Sequence, residues 1–251
     1  MNASFDLTGR TAVVTGGGRG LGLGIAQALL VAGADVIVFG RNRLPVALTE
    51  QADSLGRQVS FYALDLADAD AIAATAQDVL AEHQVDILVN NAGTQDRYPA
   101  VDFPLEAWDR VIDINLRSVF QLCQVFGRPM LERGHGKIVN LASLLSFQGG
   151  VRVPAYAASK GAVAQLTKAL CNEWSAKGVN VNAVAPGYMA TEMNSALLAD
   201  PVRLEQLSAR IPAGRWGQPE DIGNVVVFLA SPAAAYVHGQ VLAVDGGWLA
   251  R

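Results

Sequence analysis

Hydrophobic positions along this chain come in two alternating rhythms. Short, nearly unbroken apolar runs fall at residues 11–15, 36–39, 59–63, 87–90, 138–141, 179–185 and 241–244. Between them, apolar residues recur at helical spacing over 21–32, 45–55, 69–83, 105–133, 156–177 and 220–230. The 105–133 stretch is long enough to hold two helices. Continuous Val/Ile/Leu runs suit strands buried on both faces, and regular strand–helix alternation predicts a parallel, doubly wound sheet. An α/β fold of about seven strands, with helices on both faces, is expected. No Pro/Ser-rich linker, composition shift or internal repeat divides residues 1–251, so a single domain is expected. The rhythm breaks over 187–218, which holds a short helical pattern near 193–209 and the turn-rich Ile211-Pro212-Ala213-Gly214. A long insertion at the carboxyl end of a strand predicts a lid over a binding crevice.

The first strand–helix junction is Thr15-Gly16-Gly17-Gly18-Arg19-Gly20-Leu21-Gly22. Glycine there lets backbone N–H groups at a helix N-terminus approach a diphosphate, where a Cβ would hold it away. Strand, glycine turn, helix and strand together read as a Rossmann-like dinucleotide site. Its spacing is Gly-x-x-x-Gly-x-Gly, not the commoner Gly-x-Gly-x-x-Gly.

Tyr156 and Lys160 stand four apart in a helical pattern, which puts both on one face. Chance spacing predicts only about 0.08 such pairs in a chain of this composition. A phenol with a pKa of about 10 is a poor base near neutrality, and a fixed ammonium nearby would stabilise the phenolate. Such a pair suits proton exchange with a carbonyl or alcohol oxygen. Ser143 follows the apolar run 138–141, and Asn90-Asn91-Ala92-Gly93 closes the run 87–90, so both lie at the strand ends that border a crevice. Asn115 sits mid-helix, a poor place for Asn unless its side chain has a specific partner.

Composition narrows the class. The chain is 51% hydrophobic and 17% charged, with a mean hydropathy of +0.25. No uncharged apolar stretch reaches the roughly 20 residues of a membrane helix, and residues 1–10 lack the apolar centre of a secretory leader. No membrane association and a cytoplasmic location are expected. A net charge of −4 without a basic block argues against nucleic-acid binding. Cys123 and Cys171 read as buried thiols. His83, His135 and His238 lack metal-ligand spacing, so no metal is expected.

Along its whole length the chain resembles the short-chain dehydrogenase/reductases. The resemblance is carried by the glycine turn, Asp65-Leu66, Asn90-Asn91-Ala92-Gly93, Asn115, Ser143, Tyr156-x-x-x-Lys160, Pro186-Gly187, Thr191 and Val244-Asp245-Gly246-Gly247. It implies hydride transfer between a nicotinamide cofactor and a secondary alcohol or ketone. Tyr156 would be the general acid/base, with Lys160 holding the cofactor ribose and lowering the tyrosine pKa. Ser143 would orient the substrate oxygen, and Asn115 would hold a water linking Lys160 to solvent. Gly16, Gly18, Arg19, Gly20, Leu21 and Gly22 would form the diphosphate turn. Asp65, Leu66, Asn91, Ala92 and Gly93 would lie along the adenosine, and Pro186, Gly187, Met189 and Thr191 would border the nicotinamide.

Further stretches, among them Ser146-Phe147-Gln148-Gly149-Gly150-Val151-Arg152-Val153-Pro154, resemble the sugar-acid dehydrogenases of that family. A carboxylate substrate calls for a guanidinium, and Arg97 or Arg152 is expected to supply it, with Gln148 also in the substrate site. A carrier-protein 3-oxoacyl reductase is the rival enzyme; Asn172-Glu173 and the acidic balance argue against it. A dinucleotide sensor without catalysis is the non-enzyme rival. At the end of the second strand stands Phe39-Gly40-Arg41-Asn42-Arg43, with no carboxylate to meet a ribose 2′-OH. NADP(H) is therefore favoured, with NAD(H) possible. The resemblance also implies a homotetramer, with the apolar Trp248-Leu249-Ala250 and the helix of Ala164, Thr167 and Cys171 as candidate contacts.

Overall fold

Seven parallel strands form one sheet in a computed structural model that describes residues 3–251. In chain order β1 (Thr11–Thr15) leads through α1 (Gly20–Val31) to β2 (Asp35–Gly40), α2 (Val46–Ser54), β3 (Val59–Ala63), α3 (Ala69–Glu82) and β4 (Ile87–Asn90). There follow α4 (Leu105–Ile112), α5 (Ser118–Arg133), β5 (Gly136–Leu141), α6 (Pro154–Trp174) and β6 (Val179–Pro186). Two short helices, α7 (Ser195–Leu198) and α8 (Pro201–Ser208), precede α9 (Pro219–Ala230) and β7 (Val241–Val244). The strand order is β3-β2-β1-β4-β5-β6-β7. It reverses between β1 and β4, so the connections leave those strands toward opposite faces and open a crevice at their carboxyl ends.

The apolar runs explain this architecture. β1, β4, β5 and β6 are buried almost throughout, as strands covered on both faces must be. One face packs Ile25, Leu29, Ile222 and Val226 of α1 and α9. The other packs Ile72, Val79, Phe126 and Leu170 of α3, α5 and α6.

Residues 105–133 hold the two expected helices, α4 and α5, joined without a loop by a π-helical turn at Asp113–Arg117. One expectation is corrected. The pattern near 193–209 is broken into a 3₁₀ turn (Glu192–Asn194), α7 and α8, because Asp200 caps a fresh helix with Pro201 at its first position.

Candidate active site

The carboxyl ends of the central strands open onto a cleft of about 1230 Å³. Its floor begins at the glycine turn. Thr15 Oγ1 accepts from the backbone N–H groups of Asn91 and Ala92 at 3.0 and 2.9 Å, and Asn91 Nδ2 donates to Thr15 O at 2.9 Å. These bonds pin the β4 loop to the turn. A Cβ on Gly22 would meet Gly16 O at 2.1 Å, so the helix can approach the turn only without one. Gly18 and Gly20 face open space, where a side chain would fill the cleft. No side chain caps α1, which leaves the first N–H groups of a 12-residue helix open toward that space. This is the donor set a diphosphate fits. Leu21, Ala92, Leu66 and Asp65 line the same cleft, the Asp65 carboxylate accepting from Ala67 N at 3.0 Å.

Arg41 and Arg43, exposed at the end of β2, also line it. Arg19 reaches across to Glu192, in the 187–218 segment, at 3.1 Å, an exposed pair of little strength. At the far side Gly187 packs so closely on Asp245 that a Cβ would meet its Cα at 2.6 Å. Pro186, Thr191 and the buried Met189, which bridges to Gly217, complete that wall.

The proton-transfer groups converge from β5 and α6. Ser143 caps the 3₁₀ turn Leu144–Ser146: its Oγ accepts from Leu145 N at 3.2 Å, and its hydroxyl bonds the Tyr156 phenol. Lys160, 3% exposed, donates from Nζ to Leu141 O at 2.5 Å, with Nζ 5.8 Å from the Tyr156 ring centroid. Ser146 Oγ ties the two elements, accepting from Ser143 N at 3.3 Å and donating to Lys160 O at 2.6 Å.

Burial disfavours the charged form of both groups. The phenol is pushed up from its usual range, an effect the Ser143 hydroxyl opposes, while the lysine is pulled down to about 8. In the protein alone desolvation is the leading influence on the Tyr156 phenol, and the Ser143 hydroxyl is what opposes it.

Asn115 sits in the π turn, fully buried. Its Oδ1 accepts from Thr94 N at 2.8 Å, and Nδ2 donates to Thr94 O at 2.9 Å and Ser159 Oγ at 3.1 Å. Both amide hydrogens are committed, so the side chain braces the β4 loop against α6, and only an oxygen lone pair remains for a water. Gly93 lets the two groups approach: a Cβ there would lie 3.3 Å from Asn115 Oδ1 and 3.7 Å from Lys160 Nζ.

Of the expected substrate residues, Arg97 and Gln148 line the cleft and Arg152 does not. Arg152 occupies an exposed turn at φ +64°, its carbonyl accepting from Tyr98 N. Sequence reasoning also missed residues. Thr15, Ser146 and Ser159 act through backbone partners, which periodicity does not reveal. Arg203, Arg210 and Trp248 come from the lid and the segment after β7. Trp248, which the sequence left open as a subunit contact or a residue of the chain's own core, is 4% exposed and packs on Tyr188 within its own chain. Thr167 and Ala164 are likewise buried within the chain. Seven arginines and Lys160 line the cleft against two carboxylates, Asp65 and Glu192, although the whole chain carries −4.

Comparison with known proteins agrees with this geometry. The profile of a family described as enoyl-(acyl carrier protein) reductase matches residues 16–249. The 2-dehydro-3-deoxy-D-gluconate 5-dehydrogenase of Bacillus subtilis (strain 168) is 52% identical over 251 residues, covering 100% of this chain and 99% of that one. The Escherichia coli (strain K12) protein of the same name is 47% identical over 252 residues, covering 99% of each. The structure of a gluconate 5-dehydrogenase from Burkholderia cenocepacia J2315, in complex with NADP and tartrate, is similar at a TM-score of 0.91 and 40% identity. That match covers 99% of this chain and 98% of the other.

Proposed function

Because the chain belongs to the short-chain dehydrogenase/reductase family, we propose that it moves a hydride between NADP(H) and a secondary alcohol or ketone carbon of a sugar acid. The observation that carries this reading is a basic cleft in an acidic protein, with Ser143, Tyr156 and Lys160 at its inner end. Sugar-acid names among the relatives and NADP in the Burkholderia structure support the same assignment.

The glycine turn from Gly16 to Gly22 holds the diphosphate on the amides of α1. Asp65, Leu66, Asn91, Ala92 and Gly93 flank the adenosine, and Pro186, Gly187, Met189 and Thr191 border the nicotinamide. Arg41, with Arg19 and Arg43 lining the same cleft, would meet the 2′-phosphate. No carboxylate stands at the end of β2 to repel that phosphate. When bound, the dinucleotide supplies or accepts the hydride.

The chain's own residues manage the proton. Ser143 orients the substrate oxygen toward the Tyr156 hydroxyl. Tyr156 gives its proton to a ketone oxygen, or takes one from an alcohol. Lys160 stands behind it, buried, and would hold the cofactor ribose. Its pKa of about 8 leaves it able to carry or release a proton near neutrality. Asn115 keeps the lysine's surroundings in register. The lid over 187–218 closes the outer side and excludes water. The uncovered Leu242 on β7, Val101, and Leu105 at the start of α4 suit a homotetramer, and a dinucleotide-dependent reaction is consistent with a cytoplasmic location.

The test pairs turnover with binding. Tyr156→Phe should lower kcat by about 10³-fold, within the range of lost acid–base catalysis, while NADPH affinity by fluorescence stays within a few-fold. Wild-type kcat/KM should favour NADP over NAD, and Arg41→Ala should shrink that preference. Turnover of gluconate and 2-deoxygluconate by the phenylalanine variant at the wild-type rate refutes the mechanism.

A further inference from the structure

We propose that Arg210 grips the carboxylate of the substrate and that Trp248 holds it in position to do so. The inference rests on the sugar-acid reading above and names the group that reading leaves open. Arg210 follows α8 in the last turn of the lid helix, its N–H donating to Leu207 O at 3.1 Å. Its guanidinium carbon lies 4.0 Å from the centre of the Trp248 ring.

That ring is fixed on every side. It packs on Tyr188 at a centroid distance of 4.7 Å, and its Nε1 donates to Gln148 Oε1 at 3.3 Å. The Asp245 carboxylate accepts from Gly247 N at 2.8 Å and Leu249 N at 2.9 Å, holding the turn that carries it. Arg251 adds a bond from the same segment to Ala209 O at 3.3 Å. A flexible lid arginine is thus docked on a rigid platform tied to the loop that follows Ser143.

Stacking occupies only the face of a guanidinium. The N–H fork at its edge stays free to meet a carboxylate with two parallel hydrogen bonds. The other candidates on this side are weaker. Arg110 is paired with Asp96 at 2.5 Å, and Arg203 donates to Gln206 at 3.0 Å. Arg97, exposed as Arg210 is, has no aromatic ring stacked on its guanidinium among the described residues. Among the ion pairs of the described residues Arg210 takes no part. It lines the same cleft as Ser143, Tyr156 and Gln148.

The experiment uses full-length enzyme with saturating NADP and two probes: sodium gluconate and the neutral polyol galactitol. Arg210→Met should raise KM for gluconate about 30-fold or more with kcat within about threefold, and leave the KM values for galactitol and NADP unchanged. Arg210→Lys, which keeps the charge and loses the fork, should fall between. Trp248→Leu should raise the gluconate KM about 5–10-fold without removing the cation. If the wild type prefers gluconate and Arg210→Met keeps its KM, or if Arg97→Met raises it instead, the inference is overturned and the sugar-acid reading stands. If the wild type handles galactitol as well as any sugar acid, the substrate class itself fails, and Arg210 with it.

Discussion

Lys160→Met should stabilise the fold while disabling the enzyme, and the gain should depend on pH in a defined direction. In the folded chain the Lys160 ammonium is buried and its pKa is about 8, against 10.5 when freely solvated. At about 1.4 kcal/mol per unit, keeping it charged at pH 7 costs roughly 3 kcal/mol. Between pH 8 and 10.5 the unfolded chain holds the extra proton, so wild-type stability rises with pH across that window. Methionine escapes the penalty but leaves Leu141 O without its donor, which costs about 1–3 kcal/mol. The net change at pH 7 is then near zero to about +2 kcal/mol. The firmer quantity is its drift: from pH 7 to 9.5 the wild type should gain about 2 kcal/mol relative to the variant. Tyr156, raised by burial, is common to both proteins and cancels in the comparison. Paired thermal or urea unfolding at the two pH values reads the drift, as a relative change of about 4–8 °C in Tm. Parallel curves, with the same gap at both pH values, would refute the claim that this ammonium is held at a cost.

Three further outcomes are expected. Gly22→Ala drives a methyl into Gly16 O at 2.1 Å, so NADPH affinity should fall at least about tenfold, or folding should fail, since a backbone clash has no rotamer to relieve it; titration and Tm together check it. Asn115→Ala strips Thr94 N–H and C=O of their partners and should cost about 2–4 kcal/mol in urea unfolding. In Arg215→Ala, Asp221, held at about 2 mainly by Arg215 and also by Gln218 N, loses its principal partner. Its carboxylate contributes stability above pH 4 that disappears as pH falls through 2, so the variant's deficit, small for so exposed a pair, should shrink away in acid unfolding near pH 2.

The sheet was legible because its central strands β1, β4, β5 and β6 are buried apolar runs, while β3 and β7, only partly covered, are marked by their β-type residues. Runs at 11–15, 59–63, 87–90 and 241–244 coincide with the observed β1, β3, β4 and β7. β2 extends one residue at each end, since Asp35 and Gly40 join it through backbone pairing that hydropathy does not see. Residues 105–133 hold their two helices in one unbroken rod because a π turn absorbs Asp113–Arg117, a junction that apolar spacing does not show. The awkward position of Asn115 was visible; its partners, Thr94 and Ser159, were not, because neither is near in sequence. Ser143, Tyr156 and Lys160 converge as spacing and strand ends imply. Arg152 falls outside the cleft because the helix carrying Tyr156 starts only at Pro154, which leaves Arg152 in the exposed turn before it. Arg210 and Trp248 lie 38 positions apart, and only the packing of the lid on the segment after β7 brings them together.

The arginine-lined cleft in a chain of net charge −4 also governs how ligands arrive. An approaching anion is repelled over much of the outer surface and drawn inward at one mouth, where low-dielectric walls concentrate the field. Capture of charged ligands should therefore slow as added electrolyte shortens the Debye length, while uncharged polyols should enter at a rate indifferent to it.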